Sequence, residues 1–152
     1  MTEEFFTAIR ARLTELVKDL RFLHKPTGQN VPPQIIDLML DRPTSTTEEG
    51  DEYPYVRWLI PSGSFKRHGS EPFSVIIDAG IYTDGTISDG NSDIFSLCLA
   101  LGKITENPRF APYKLGETIP FTLGQPAGDA NNPGIQPHPY YHCRLTLDFS
   151  AA

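Results

Sequence analysis

A chain of 152 residues is long enough for one domain with a real core and too short for two. Its net charge of -6, with a pI near 5.1, excludes a broad basic surface that grips nucleic-acid phosphates. Hydrophobic residues at 39% and charged residues at 21% describe a globular chain, while 14 Pro and 12 Gly predict much irregular loop.

The first element is an amphipathic helix predicted over 2–25. Phe5, Ile9, Leu13, Leu16 and Leu20 form one stripe, widened by Phe6 and Val17. Glu3 and Glu4 near its start and Arg21, His24 and Lys25 near its end complement the helix dipole, before Pro26 and Gly28 break it. Arg10, Glu15, Lys18 and Asp19 make the solvated face. The start Met1-Thr2-Glu3-Glu4 lacks the basic residues and apolar run of a signal peptide, which predicts a cytoplasmic site of synthesis. No apolar run approaches the length of a membrane span.

The segment 31–40, led by Pro32 and Pro33, is either an extended edge piece or a single helical turn. Residues 41–52 are polar and acidic, with Glu48, Glu49, Asp51 and Glu52, and read as a loop. Tyr53 to Ile60 is a strand that Pro61 closes, with Pro54 near its start, where a missing N–H costs least. The link 62–72 carries the most basic spot of the chain, Lys66-Arg67-His68, and reads as a long hairpin tip.

From Phe73 the pattern is most regular. Phe73, Val75, Ile77, Ala79 and Ile81 recur every second residue, the period of a strand face. After a turn rich in Gly and Asp, Ile94, Leu97, Cys98, Leu101 and Ile104 take helical spacing, with Ser88 or Asp89 as the expected N-cap and Asn107-Pro108 as the stop. Tyr113–Leu115 and Ile119–Leu123 are weaker strand candidates, and 124–139 is a long connection with four prolines. In the last strand, Tyr140 to Phe149, Tyr141, Cys143, Leu145, Leu147 and Phe149 alternate with His142, Arg144, Thr146 and Asp148 on a wet face. The order predicts one α+β domain over 1–152, a mostly antiparallel sheet of four to five strands flanked by two helices.

Catalytic and metal motifs give little. Asp84, Asp89 and Asp93 fail the spacing of a calcium loop and read as turn and cap residues. His142 and Cys143 are strand neighbours that point to opposite faces, so with His138 they do not converge on a metal. No phosphate-binding Gly-rich loop and no Gly-x-Ser-x-Gly turn is present. Cys98 and Cys143 both fall on apolar faces, as small hydrophobes rather than a disulfide. The expectation is therefore an interaction protein without cofactor or enzymatic activity, its sheet edges and long loops supplying the contacts. A small enzyme or ligand-binding domain is the rival, and would show a deep polar pocket with converging titratable groups.

Several segments, taken in order, resemble the tail terminator (tail completion) proteins of long-tailed bacteriophages. These are Pro32-Pro33-Gln34-Ile35-Ile36-Asp37 after the first helix, Glu52-Tyr53-Pro54-Tyr55-Val56 opening a strand, and the strand-turn-helix of 74–101. The closing run His138-Pro139-Tyr140-Tyr141-His142-Cys143-Arg144-Leu145-Thr146-Leu147-Asp148-Phe149 is similar to that family's last strand. The resemblance implies a six-membered homo-oligomeric ring on the head-proximal end of the tail tube. Such a ring stops tube polymerisation and offers the head-joining surface, so the expected place is the virion tail, after assembly in the host cytoplasm. It also implies two partners, the tail tube protein and a head-completion or stopper protein of the neck; another neck component is the alternative identity. DNA would pass through a negative lumen without specific binding. The residues expected at a subunit or tube interface are Pro32, Pro33, Glu48, Glu49, Asp51, Glu52, Lys66, Arg67, His68, Asp129 and His138.

Overall fold

The computed structural model describes residues 3–37, 51–64, 67, 72–124 and 137–151. Helix α1 spans Glu3–Val17, and its buried residues Phe5, Ile9, Leu13 and Val17 stand four apart, one above the other on a single face. It stops well short of the predicted Lys25. Carrying the helix on would turn Phe22 about 140° from the Val17 stripe, toward solvent. Instead Leu20 N–H closes a turn on the Val17 carbonyl, and the Arg21 guanidinium donates to the carbonyls of Lys18 and Leu20. The chain then forms a hairpin of β1 (Phe22–His24) and β2 (Gln29–Val31), which buries Phe22; Gly28 takes the left-handed conformation at its turn, φ 69°.

The open choice over 31–40 falls to the extended form. Strand β3 (Gln34–Asp37) runs parallel to β4 (Tyr55–Gly63), with Gln34 opposite Tyr55. Strand β4 does not end at Pro61 as expected. The ladder to β5 (Phe73–Tyr82) shifts register between Leu59 and Ser62, and that irregularity accommodates a residue with no N–H to give.

Strand β5 pairs antiparallel with β4 on one side and with β9 (Tyr140–Ala151) on the other, in unbroken register from Phe73 opposite Phe149 to Tyr82 opposite Tyr140. Beyond β9 lie β7 (Tyr113–Leu115), β6 (Arg109–Phe110) and β8 (Phe121–Leu123). The order β3-β4-β5-β9-β7-β6, with β8 also on β9, makes seven strands among the described residues, antiparallel except for β3 on β4. The α+β class and two helices agree with the sequence. Tyr113–Leu115 and the shorter Phe121–Leu123 form strands where weak ones were expected; the sheet exceeds four to five strands because β3 lay in the segment left open between extended and helical forms and β6 has two residues, too few for periodicity to register.

Helix α2 spans Ile87–Gly102 and continues as a tighter turn over Lys103–Glu106. Its cap is Thr86, not Ser88 or Asp89. The Thr86 hydroxyl accepts the Asp89 N–H while the Asp89 carboxylate accepts the Thr86 N–H, a reciprocal box that puts Asp89 inside the first turn. Both helices cover one face of the sheet. Ile94, Leu97, Cys98 and Leu101 pack on Tyr141, Cys143, Leu145 and Leu147, and α2 comes so close that a Cβ on Gly90 would lie 2.2 Å from the Tyr141 ring. Under α1, Phe5 meets Phe73, Tyr113 and Phe149 edge to face, with ring centres 5.1–5.4 Å apart.

Candidate interaction site

The interface residues expected from sequence separate along the sheet. Glu48, Glu49, Lys66, His68 and Asp129 lie outside the described residues. Pro32 is exposed and Pro33 buried at the start of β3. Gln34 Nε2 donates to the Glu52 carbonyl at 2.8 Å, and the exposed Asp51 carboxylate sits 3.8 Å from His24 Nε2, so the proline-led segment and the end of the acidic loop meet. The nearby segments Glu52-Tyr53-Pro54 and His138-Pro139-Tyr140 join through Tyr53, whose ring centre is 4.8 Å from that of Tyr140. Exposed His138 turns its Nδ1 to the Tyr141 hydroxyl at 2.6 Å. Arg67 is exposed in the link that follows β4, a strand about 26 Å long at strand rise. The Tyr55 end of the sheet is thus aromatic and carries both an acid, Asp51, and a cation, Lys25.

The face of the sheet opposite the helices holds a network that sequence alternation placed only as a wet surface. Asp78 of β5, with its side chain 5% exposed, accepts from Arg57 Nη2 of β4 at 2.6 Å and from Arg144 Nε of β9 at 2.7 Å. Burial alone would raise the Asp78 carboxyl; the hydrogen bonds and charges of Arg144 and Arg57 outweigh it and hold the group below the ordinary carboxylate range. Beside this cluster Tyr53 Oη lies 2.7 Å from His142 Nε2. Burial pushes the hydroxyls of Tyr53 and Tyr55 up, that of Tyr55 to about 12, and holds His142 down at about 4, so near neutral pH both tyrosines keep their protons and the imidazole is uncharged. Lys25 Nζ sits 5.4 Å from the Tyr82 ring centre and 5.9 Å from that of Tyr140. Both Asp78 oxygens are occupied by arginine, which suits this network to holding three strands in register rather than to moving protons. His142 and Cys143 lie on opposite faces of β9, as alternation predicts, with Cys143 turned to the helices.

The third feature was not singled out in the sequence. Phe95 and Leu99, one turn apart on α2, are 42% and 57% exposed, and Phe121 of β8 stands across from them at 56%. Between them runs a groove of about 340 Å³, lined mainly by Phe95, Cys98, Leu99, Ile119, Phe121 and Leu145, with Lys103 and Glu106 on its rim. Its signal was present in the sequence: with Phe95 and Leu99 added to the core stripe, α2 is apolar around more than half its circumference, more than one buried face requires. Contiguous exposed apolar surface of this kind marks an interaction site.

No protein-family model matches the chain, and no curated protein matches it in sequence.

Proposed function

We propose that the chain is a structural protein of a phage tail, forming a homo-oligomeric ring that caps the head-proximal end of the tail tube. In that place it stops tube polymerisation and presents the surface on which the filled head docks. Its role is non-catalytic, its partners are further copies of itself, the tube protein and a neck component, and DNA passes its lumen without being held.

The observation that carries this reading is the apolar groove beside α2. Three large side chains stand roughly half exposed around a cleft, and a neighbouring copy covers them on assembly. The agreement of the proline-led, Tyr-Pro-Tyr and His-Pro-Tyr segments with the tail terminator pattern supplies the particular identity.

Leu99→Asp tests the contact. The wild-type chain is expected to run in native mass spectrometry as a six-fold multiple of 16.9 kDa, alone or on added tube, and the variant as a monomer. Because Leu99 is 57% exposed, stability should change by no more than about 0.5 kcal/mol. A variant that assembles like wild type removes the groove from the interface.

A further inference from the structure

Strands β3 and β8 each present an edge that no strand pairs with among the described residues, since β3 pairs with β4 and β8 with β9. On β8, Gly124 N–H donates to the His142 carbonyl and the Pro120 carbonyl accepts the Thr146 N–H. Phe121 and Leu123, one residue out of phase, therefore turn their own N–H and C=O groups away from β9. On β3, Gln34 N–H donates to the Pro54 carbonyl, so by the alternation of the ladder Ile35 and Asp37 turn theirs away from β4.

The two edges stand at the same level along the strands. The line of paired residues through Ile35 crosses Val56, Ala79 and Cys143 and ends on Leu123, and the line through Asp37 ends on Phe121. The faces agree as well. Ile35 and Leu123 both pack against the core under the helices, and Asp37, which accepts the Trp58 indole N–H at 2.7 Å, shares that face with Phe121 of the groove. Followed strand by strand across the sheet, β3 runs antiparallel to β8.

We propose that β3 of one copy adds to β8 of the next, antiparallel, with Ile35 opposite Leu123 and Asp37 opposite Phe121, so that the sheet continues from subunit to subunit. Each outward N–H then finds an outward C=O, and the added strand walls the apolar groove on its Phe121 side. Because the joined edges lie at one level, repeated joining turns back on itself instead of climbing, which is the condition for a closed ring rather than a filament. This inference rests on the proposed ring and assigns the contact that builds it.

The test is the double variant Ile36→Cys/Thr122→Cys, oxidised in the assembled state. These residues face away from the helices and meet across the proposed contact as a non-hydrogen-bonded pair, the closer kind. Within one chain they lie four strand spacings apart, about 19 Å along the sheet, too far for a bond. The native thiols are buried. The expected result is a ladder of multimers on a denaturing gel that dithiothreitol collapses, with each single variant staying at the mass of one chain. A second reading needs no new side chain at the edge: amide exchange at Ile35, Asp37, Phe121 and Leu123 should slow by about tenfold or more in the wild-type multimer relative to monomeric Leu99→Asp. A multimer that gives no ladder, or leaves those four amides exchanging as in the monomer, would overturn the strand pairing while the ring reading stands. A wild-type chain that stays monomeric alone and on added tube would overturn both.

Discussion

Asp78→Asn is expected to cost about 3 kcal/mol of folding stability, measured by urea unfolding at pH 7. The carboxylate is almost fully buried and bridges two guanidinium groups from adjacent strands, so removing its charge leaves Arg57 and Arg144 facing each other across β5. Each arginine side chain is about a quarter exposed, 24% and 25%, and water relieves part of the loss, which is why the estimate sits at the low end for a broken buried pair. Replacing all three residues by apolar side chains of similar volume should recover much of the cost. A single-variant loss below about 1 kcal/mol would show that the network is only surface decoration.

The same face sets the acid response. His142 is depressed from 6.5 to about 4, so its contribution is complete above pH 6.5 and is lost as pH falls from there through about 4, because the unfolded chain takes up the proton first. Asp78 is held below its ordinary 3.8, so its contribution is present above that value and is lost as pH falls through its lower folded value. The acid limb of the stability curve therefore has two parts, and Asp78→Asn should flatten the lower one.

Phe5→Ala should cost about 3–5 kcal/mol. Phe5 is fully buried, and its ring edge or face meets Phe73, Tyr113, Phe149 and Phe110, rings drawn from four strands. Truncation leaves a cavity that these rigid rings cannot close, and it forfeits several edge-to-face contacts at once. That is a large share of the 5–15 kcal/mol typical of a whole domain. The check is urea unfolding with an unchanged m-value; a loss under about 1.5 kcal/mol would mean that α1 is not anchored through this cluster.

The helical stripe of Phe5, Ile9 and Leu13 and the alternation of β5 and β9 were legible because burial on one face imposes a period on the chain. The end of α1 was not, since Leu16 and Leu20 keep to the stripe while the competing gain, burial of Phe22, exists only once the hairpin can fold onto the sheet. The helix start was misplaced by proximity: Asp89 does receive a capping bond, but as the reciprocal partner of Thr86. Arg144 and Asp78 were assignable to faces. Their pairing depends on a β5–β9 register that loops of unknown path conceal. The two cysteines were likewise each assigned correctly to an apolar face, and both are buried in the core.

The groove sharpens the difference between a lone domain and a component of an assembly. A monomer has little reason to hold Phe95, Leu99 and Phe121 in water, whereas under the proposed function a neighbouring copy would cover them.

Under the proposed tail role, electron microscopy of tails from a phage whose copy of this gene carries an early stop codon tests the central claim most directly. If the chain caps the tube, the lysate will contain overlong, headless tails, because polymerisation has lost its stop. Tails of normal length that fail to join heads would place the chain elsewhere in the neck, and normal infectious particles would contradict the assembly role altogether.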